Sequence, residues 1–472
     1  MKNVLLVYPD YPIPHKSIHH KNALPIGLLK LSSYYKKKEK ATVQLVHGKK
    51  LPDKFKEPDI IEIASLFTYW SPYVWDTVTF YRETFPDHKK TKIRVGGIYA
   101  SLHHDKKEYI KLCKKYHVSR FKGIYKSVEQ YFPDYKLLIE KGLELNFQIV
   151  HTSRGCHRRC SFCGTWIIEP DFECKNSIQK LIEPGFELGL RNLVFYDNNL
   201  LKNPNVKTIL KELIELKNKK KIGWCESQSG FDGRLLLKDP ELASLLNEAG
   251  FRFPRIAWDW GYDQWTEIEK QIKVLLDGGF SKRNMSIFMI YNWDINFKEM
   301  EEKRIKCWEW GLQITDCRFR PLNSLHDNYN PVGDQSDGND YYIHPNWTDA
   351  EIKQFRKNVR RQNICIRMRL PYHSKLLERK VYTDQQYSFI NTLSTIQIKN
   401  YLPDLWYPDN ITPPPNKNKW KSDKIILSPE ILKELDELMS SKRKPVTDNI
   451  EAVNKMQEKI MVSSFLQYKD MG

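Results

Sequence analysis

The sequence predicts an α/β protein with two successive parallel βα regions and a mainly helical C-terminal region. Three observations predict it: short apolar runs alternating with helical stretches from the first residues, a second βα rhythm from residue 147 that carries six strands, and a change past Pro321 to polar loop and helix. A length of 472 residues suits two or three domains. Lys and Arg number 76 against 58 Asp and Glu, a formal charge of +18, yet 40% apolar and 12% aromatic residues supply a core and exclude global disorder. The apolar start from Val4 to Val7 stops at Tyr8-Pro9-Asp10, and no apolar run approaches the ~18 residues that span a bilayer. No membrane is expected, and the cytoplasm is the default location.

In the first region, residues 1–135, strands are expected at 3–8, 42–46, 60–65 and 92–95. Pro25-Ile26-Gly27 opens a helix with Leu28, Leu29, Leu31 and Ser32 inward. Val95-Gly96-Gly97 puts flexible backbone at the carboxyl end of a strand, where doubly wound sheets bind ligands. A tight strand-to-helix turn without a ligand is the alternative there. His15, His19, His20 and His47 read as surface histidines. In the second region, residues 146–322, strands are expected at 148–152, 192–196, 223–226, 255–258, 286–290 and 313–319. Apolar residues at helical spacing in 206–216, 241–249, 265–276 and 299–310 supply the crossovers that a parallel barrel requires.

Six of the nine cysteines stand alone: Cys113, Cys174, Cys225, Cys307, Cys317 and Cys365. The other three, Cys156, Cys160 and Cys163, form Cys-x3-Cys-x2-Cys between Arg154 and Gly164. So sparse and odd a count is no disulfide scaffold, so the thiols are expected reduced and available for metal or catalysis. Arg154, Arg158 and Arg159 lower thiol pKa and offset the charge of a thiolate-bound cluster. A four-iron cluster on three thiolates keeps one iron open to substrate. The alternative is a structural zinc knot closed by Cys174, at an unusual eleven-residue step from Cys163.

Cys156, Cys160, Phe162 and Cys163 together resemble the Cys-x3-Cys-x-aromatic-Cys signature of the radical S-adenosylmethionine (SAM) superfamily. The resemblance implies a partial (β/α)6 barrel of the TIM type and a [4Fe-4S] cluster on the three cysteines, with SAM bound at the open iron beside Phe162. It further implies reductive cleavage to methionine and a 5′-deoxyadenosyl radical, hydrogen abstraction from an unidentified substrate, and a one-electron reductant such as flavodoxin or ferredoxin. Carried over by position, Asp197 and Asn198 beyond the second core strand receive the methionyl ammonium. Glu226, Ser227 and Gln228 beyond the third meet the ribose or carboxylate, and Asp259 follows the fourth. Asn292, Asp294, Arg318 and Arg320 face SAM or substrate. For Asn199 and Asp259, helix capping is the alternative.

The order of Val7-Tyr8-Pro9, Pro25-Ile26-Gly27-Leu28-Leu29 and Val95-Gly96-Gly97-Ile98-Tyr99-Ala100-Ser101 is similar to the Rossmann-like cobalamin-binding domain that precedes many radical SAM cores. This implies a cobalamin nucleotide tail near Ser65, Gly96 and Gly97. The Asp-x-His-x-x-Gly motif of some relatives is absent, since Tyr11 and Pro12 follow Asp10. Cobalamin without a histidine ligand, an empty domain, and a domain reused for substrate all stay open. Methyl transfer by way of cobalamin is the leading expectation, a cobalamin-free rearrangement or oxidation the second.

Residues 323–402 hold a polar loop, 323–346, that reads as a lid, followed by the capping box Thr348-Asp349-Ala350-Glu351. The helix it starts turns Ile352, Phe355 and Val359 inward and Lys353, Arg356, Lys357, Arg360 and Arg361 outward. Arg356 and Arg360 suit an anionic substrate or nucleic acid, with plain solvated surface as the alternative. Residues 403–472 read as a linker around Pro413-Pro414-Pro415 and a last helix from Ser428. The alternative of another class is a non-enzymatic basic metalloprotein that binds nucleic acid. The substrate is not identified, because one fold serves many chemistries.

Overall fold

Short runs of β-branched and leucine residues form the first sheet. The computed structural model describes residues 1–13, 24–52 and 56–368. His15, His19, His20, the proline-rich linker and the last helix lie outside them. Strands β1 (Asn3–Tyr8), β2 (Thr42–His47), β3 (Ile60–Ser65), β4 (Lys92–Gly97) and β5 (Val118–Arg120) pair in parallel in the order β2-β1-β3-β4-β5. Leu5, Leu6, Val7, Ile61, Ile63, Ile93 and Val95 are at most 2% exposed, as a sheet covered on both faces demands. This is a doubly wound order whose ligand crevice lies at the carboxyl ends of β1 and β3, where the chain switches direction. Strand β5 was not anticipated: only Val118 of its three residues is buried, too short a pattern to read.

The second series begins with β6 (Phe147–Val150), followed by β7 (Ser153–Arg154), β8 (Glu173–Cys174), β9 (Asn192–Phe195) and β10 (Cys225–Ser227). Strands β6, β9 and β10 make a parallel sheet in the order β10-β9-β6, while β7 and β8 pair antiparallel. Next comes β11 (Arg255–Ala257), whose Ile256 is bridged to Phe231. Two further strands, β12 (Ser286–Tyr291) and β13 (Gln313–Arg318), complete the six expected core strands. Between them run the helices Val206–Asn218, Glu241–Glu248, Trp265–Asp277 and Phe297–Trp310, each where helical spacing placed it. No described helix is long and apolar enough to cross a membrane.

The chain divides into two compact units. The first comprises Met1–Ala257, Thr266–Phe280 and Arg318–Asp349 and so holds both parallel sheets described above. In it Arg318 and Arg320 both bond the carboxylate of Asp327, while the Tyr341 hydroxyl donates to Asp349 at 2.6 Å. The 323–346 loop is therefore fastened by the two arginines that the sequence offered to SAM or substrate.

The second unit comprises Trp258–Trp265, Ser281–Cys317 and the chain from Ala350. Ile352, Phe355 and Val359 are fully buried, as the helical spacing requires. Lys357, Arg360 and Arg361 are exposed, whereas Lys353 and Arg356 are half-buried. Against this helix, Arg304 and Glu301 form an ion pair at 2.6 Å with 0% and 1% of their side chains exposed. Asn358 donates to Glu301 at 3.0 Å and Arg304 to Gln362 at 2.8 Å, so every charge there has a partner. Removing one member would leave its partner charged and buried, which costs about 3–5 kcal/mol.

Candidate active site

The three clustered cysteines lie on one loop with a tied base. Ser153 and Arg154 pair with Cys174 and Glu173, closing the loop like a hairpin. Gly155 then turns the chain at φ +75°, where a Cβ would meet the Asp171 carbonyl oxygen at 2.2 Å, so only glycine fits. Its N–H donates to Glu169 Oε2 at 2.7 Å. Cys156, Cys160 and Cys163 are all half-buried and outside any disulfide, and Phe162 between them is half-buried too. The N–H of Cys163 donates to the Cys160 carbonyl at 3.0 Å, the Trp166 indole donates to that same oxygen at 3.2 Å, and the Thr165 N–H reaches Cys163 Sγ at 3.5 Å.

The lone cysteines differ. Cys113, Cys225, Cys307 and Cys365 are buried, and burial raises their thiols, to about 11 for Cys113 and about 12 for Cys365, which makes them inert at neutral pH. Cys174 sits at the loop base and lines a cavity that the three clustered cysteines do not line. Among the described residues, no three His, Cys, Asp or Glu side chains are drawn together as a ready metal site. The donor chemistry nonetheless fits an iron–sulfur cluster: three accessible thiols on one loop, with an N–H aimed at one sulfur.

Two loops from the strand ends meet this segment. Asn198, just past β9, donates to Glu169 Oε2 at 2.9 Å and accepts from Thr165 Oγ1 at 3.2 Å, tying β9 to the tail of the cysteine loop. Arg158 Nε donates to Asp232 at 2.7 Å, and Asp232 also receives Asn199 Nδ2 at 3.3 Å and Arg234 at 3.0 Å. Asn199, only 7% exposed, makes no side-chain cap, and its Oδ1 is buried without a hydrogen-bond partner. Such an open buried acceptor is costly unless something else fills it. The sequence named Asn199 only as a capping residue.

Asp197 is turned the other way. Fully buried, its carboxylate accepts from the N–H and hydroxyl of Thr152 at 3.0 and 2.6 Å and of Ser153 at 2.5 and 2.7 Å. Burial raises its carboxyl while these donors pull it down. With four donors and no exposed atom, Asp197 has nothing left to offer a methionyl ammonium, and its task is to hold the end of β9 against the start of β7.

The residues at the end of β10 are similarly engaged. Glu226 accepts from Arg255 at 2.5 Å and from Gln228 at 3.2 Å, and Ser227 Oγ donates to the Gly230 carbonyl at 2.9 Å. In the second unit Asp259 is half-buried, and its neighbours Trp258 and Trp260 offer their carbonyls to Lys303 Nζ at 2.8 and 2.7 Å. Burial pushes the Lys303 ammonium down to about 8, with Asp259 opposing. Asn292 past β12 is buried at φ +59°.

At the front sheet, the residues expected to meet cobalamin meet each other. Ser65 Oγ donates to the Gly96 carbonyl at 2.9 Å and accepts from the Ala100 N–H at 3.0 Å. A Cβ on Gly97 would stand 2.1 Å from the Ser65 carbonyl oxygen, so this glycine lets two strands close on one another. Gly96 has room, the nearest atom to its Cβ being Phe121 Cδ1 at 3.8 Å. In the crevice between β1 and β3, Tyr11 donates its hydroxyl to the Ala64 carbonyl at 2.7 Å, accepts from the Leu66 N–H and stacks on Trp70 at 5.2 Å. Beside it at the end of β1, the Tyr8 hydroxyl is buried without a hydrogen-bond partner, so this edge keeps one open position.

The chain matches no protein-family model and no curated protein sequence. Among solved structures it is similar to the cobalamin-dependent S-adenosylmethionine radical enzyme OxsB. The apo, selenomethionine-labelled form is 17% identical at a TM-score of 0.43, over 64% of this chain and 51% of that one. The form with aqua-cobalamin and S-adenosylmethionine bound is 15% identical at a TM-score of 0.45, over 67% of this chain and 53% of that one. The chain thus spans about half the length of these structures.

Proposed function

We propose that the protein is a radical SAM enzyme that cleaves S-adenosylmethionine reductively and abstracts hydrogen from a substrate. The observation that carries this is the tied loop of three accessible thiols, Cys156, Cys160 and Cys163, set apart from four buried, inert ones. These three would hold a [4Fe-4S] cluster, which when bound supplies the electron that splits the SAM sulfonium into methionine and a 5′-deoxyadenosyl radical. The chain's own groups prepare the place. The Thr165 N–H donates to the sulfur of Cys163. Gly155, Glu169 and Asn198 fix where the loop starts and ends. The open Oδ1 of Asn199 is an acceptor for the SAM ammonium, beside an Asp232 that also receives Arg158 from the cysteine loop.

Anaerobic reconstitution with iron and sulfide should load one four-iron cluster, and dithionite with SAM should then release 5′-deoxyadenosine. Protein that takes up zinc and no iron would overturn the proposal. So would salt-sensitive nucleic-acid binding without SAM cleavage. Asn199→Ala should weaken SAM binding about tenfold or more at unchanged iron content, because a hydrogen bond to a charged group contributes about 1.5–3 kcal/mol. Because Ser65 is already bonded to Gly96 and Ala100, we assign the reaction without a corrinoid. Aquocobalamin that stays with the protein through gel filtration would restore cobalamin-dependent methyl transfer.

A further inference from the structure

At the base of the cysteine loop, where β7 pairs with β8, lies a cavity of about 500 Å³, a size that suits a small organic ligand. Part of its lining is apolar, with Phe132, Ile149, Leu181 and Pro184. The rest is largely ionic, and its charges do not cancel. Of four lining carboxylates, three are engaged: Glu129 accepts from Lys30 at 2.9 Å and Arg154 at 2.8 Å, Glu169 from Gly155 and Arg154, and Glu173 from Lys126 at 2.5 Å. Only the exposed Asp171 remains to balance Lys37, Lys175 and Lys180. The ammoniums of Lys175 and Lys180 and the ring nitrogens of His151 have no hydrogen-bond or ion-pair partner among the described residues. Burial, then Arg154 and Lys30, hold the His151 imidazole well below its usual value.

We propose that this cavity binds a small organic anion, a carboxylate or phosphate monoester on an apolar body. The anion lies among Lys175, Lys180 and His151, and the body lies against Phe132 and Leu181. Charge-assisted bonds to an otherwise unpartnered lysine are the strong kind, and an apolar neighbour keeps water from competing. The cavity is not lined by Cys156, Cys160 or Cys163 and stands whether or not these hold iron.

The test is calorimetric titration of iron-free full-length protein with phenyl phosphate, phenylacetate and benzyl alcohol. Wild type should bind at least one of the two anions and bind the neutral alcohol at least about tenfold more weakly. Preference for phenyl phosphate assigns the site to phosphate monoesters, preference for phenylacetate to carboxylates. A Lys175→Ala, Lys180→Ala variant should lose about tenfold or more in affinity. These lysines are exposed, so its thermal midpoint should stay near wild type. His151→Phe should weaken the anion and spare the alcohol. Both variants should reconstitute iron and bind SAM as wild type does, which separates this site from the cysteine loop. No binding of either anion at millimolar concentration, or wild-type anion affinity in the double-lysine variant, would overturn the proposal.

Discussion

At the carboxyl end of β3, Ser65 spends its hydroxyl on Gly96 and Ala100, Gly97 closes on the Ser65 carbonyl, and Tyr11 bonds Ala64 and Leu66 beside them. At the carboxyl end of β9, Asp197 is equally engaged and Asn198 is bonded to Glu169 and Thr165, but Asn199 Oδ1 has no partner, and the loop that Asn198 fastens carries three half-buried thiols outside any disulfide. Both edges belong to parallel sheets and place polar residues where such sheets bind ligands. Each edge keeps one buried atom without a partner, the Tyr8 hydroxyl at the end of β1 and Asn199 Oδ1 past β9, so what separates them is the loop of thiols at the second. A polar residue at a strand end is a ligand contact only if its own hydrogen bonds have not already been made.

The sharpest way to break this comparison is at the thiols. Changing Cys156, Cys160 or Cys163 to Ala should each abolish iron loading and 5′-deoxyadenosine release. Cys113→Ser or Cys225→Ser should leave the iron count at wild type, because burial keeps those thiols protonated. Iron retained after all three clustered thiols are removed would erase the difference between the edges.

Next in size is Asp197→Ala. Removing the carboxylate orphans the donors of Thr152 and Ser153 inside the protein, at about 1–3 kcal/mol for each buried group left unsatisfied. Urea denaturation should show a loss of about 3 kcal/mol or more, with Asp197→Asn milder. Normal stability with weakened SAM binding would return Asp197 to the ligand.

How much of this was legible depended on whether a signal was local. The strands at 3–8 and 60–65 were read to the residue, since hexamers such as Val4 to Val7 with their flanks have few other uses in an α/β chain. The cysteine motif was legible because three thiolates in eight residues are rare without a metal. The engagement of Asp197 was not: Thr152 and Ser153 lie 45 and 44 residues before it, and nothing in an aspartate's identity says which donors will surround it. The Glu301–Arg304 pair was missed for a related reason. An acid three residues before a base on an amphipathic helix reads as surface, and only Asn358 and Gln362, nearly sixty residues on, make it core.

A smaller effect separates two neighbouring glycines. Gly97→Ala places a Cβ against the Ser65 carbonyl at φ +110° and should cost about 2 kcal/mol, whereas Gly96→Ala should stay within about 1 kcal/mol. Both values come from denaturation of protein without cofactor. A Gly97→Ala protein as stable as wild type would mean that β3 and β4 have room for a ligand.

The smallest effect is electrostatic and has opposite signs at Asp232 and Glu62. Burial alone would raise the Asp232 carboxyl, but hydrogen bonds from Arg158 and Arg234 outweigh it and hold it below the usual aspartate value. The folded state then binds protons less readily than the unfolded chain, so this stabilisation is complete above the unfolded pKa of ~3.9 and is lost as pH falls through the folded value. Glu62 in β3 runs the other way. Burial raises its carboxyl, and the Tyr35 hydroxyl and Arg94 only partly offset that. Its folded state binds protons more readily, so stability declines as pH rises from the unfolded value of ~4.3 toward the folded one. Asp232→Asn should therefore flatten the acid limb of the stability curve, while Glu62→Gln should remove the decline above it, each by about 1 kcal/mol or less. Urea midpoints between pH 3 and pH 7 read both limbs, and an acid limb unchanged in Asp232→Asn would show that Arg158 does not hold the cysteine loop to Asp232.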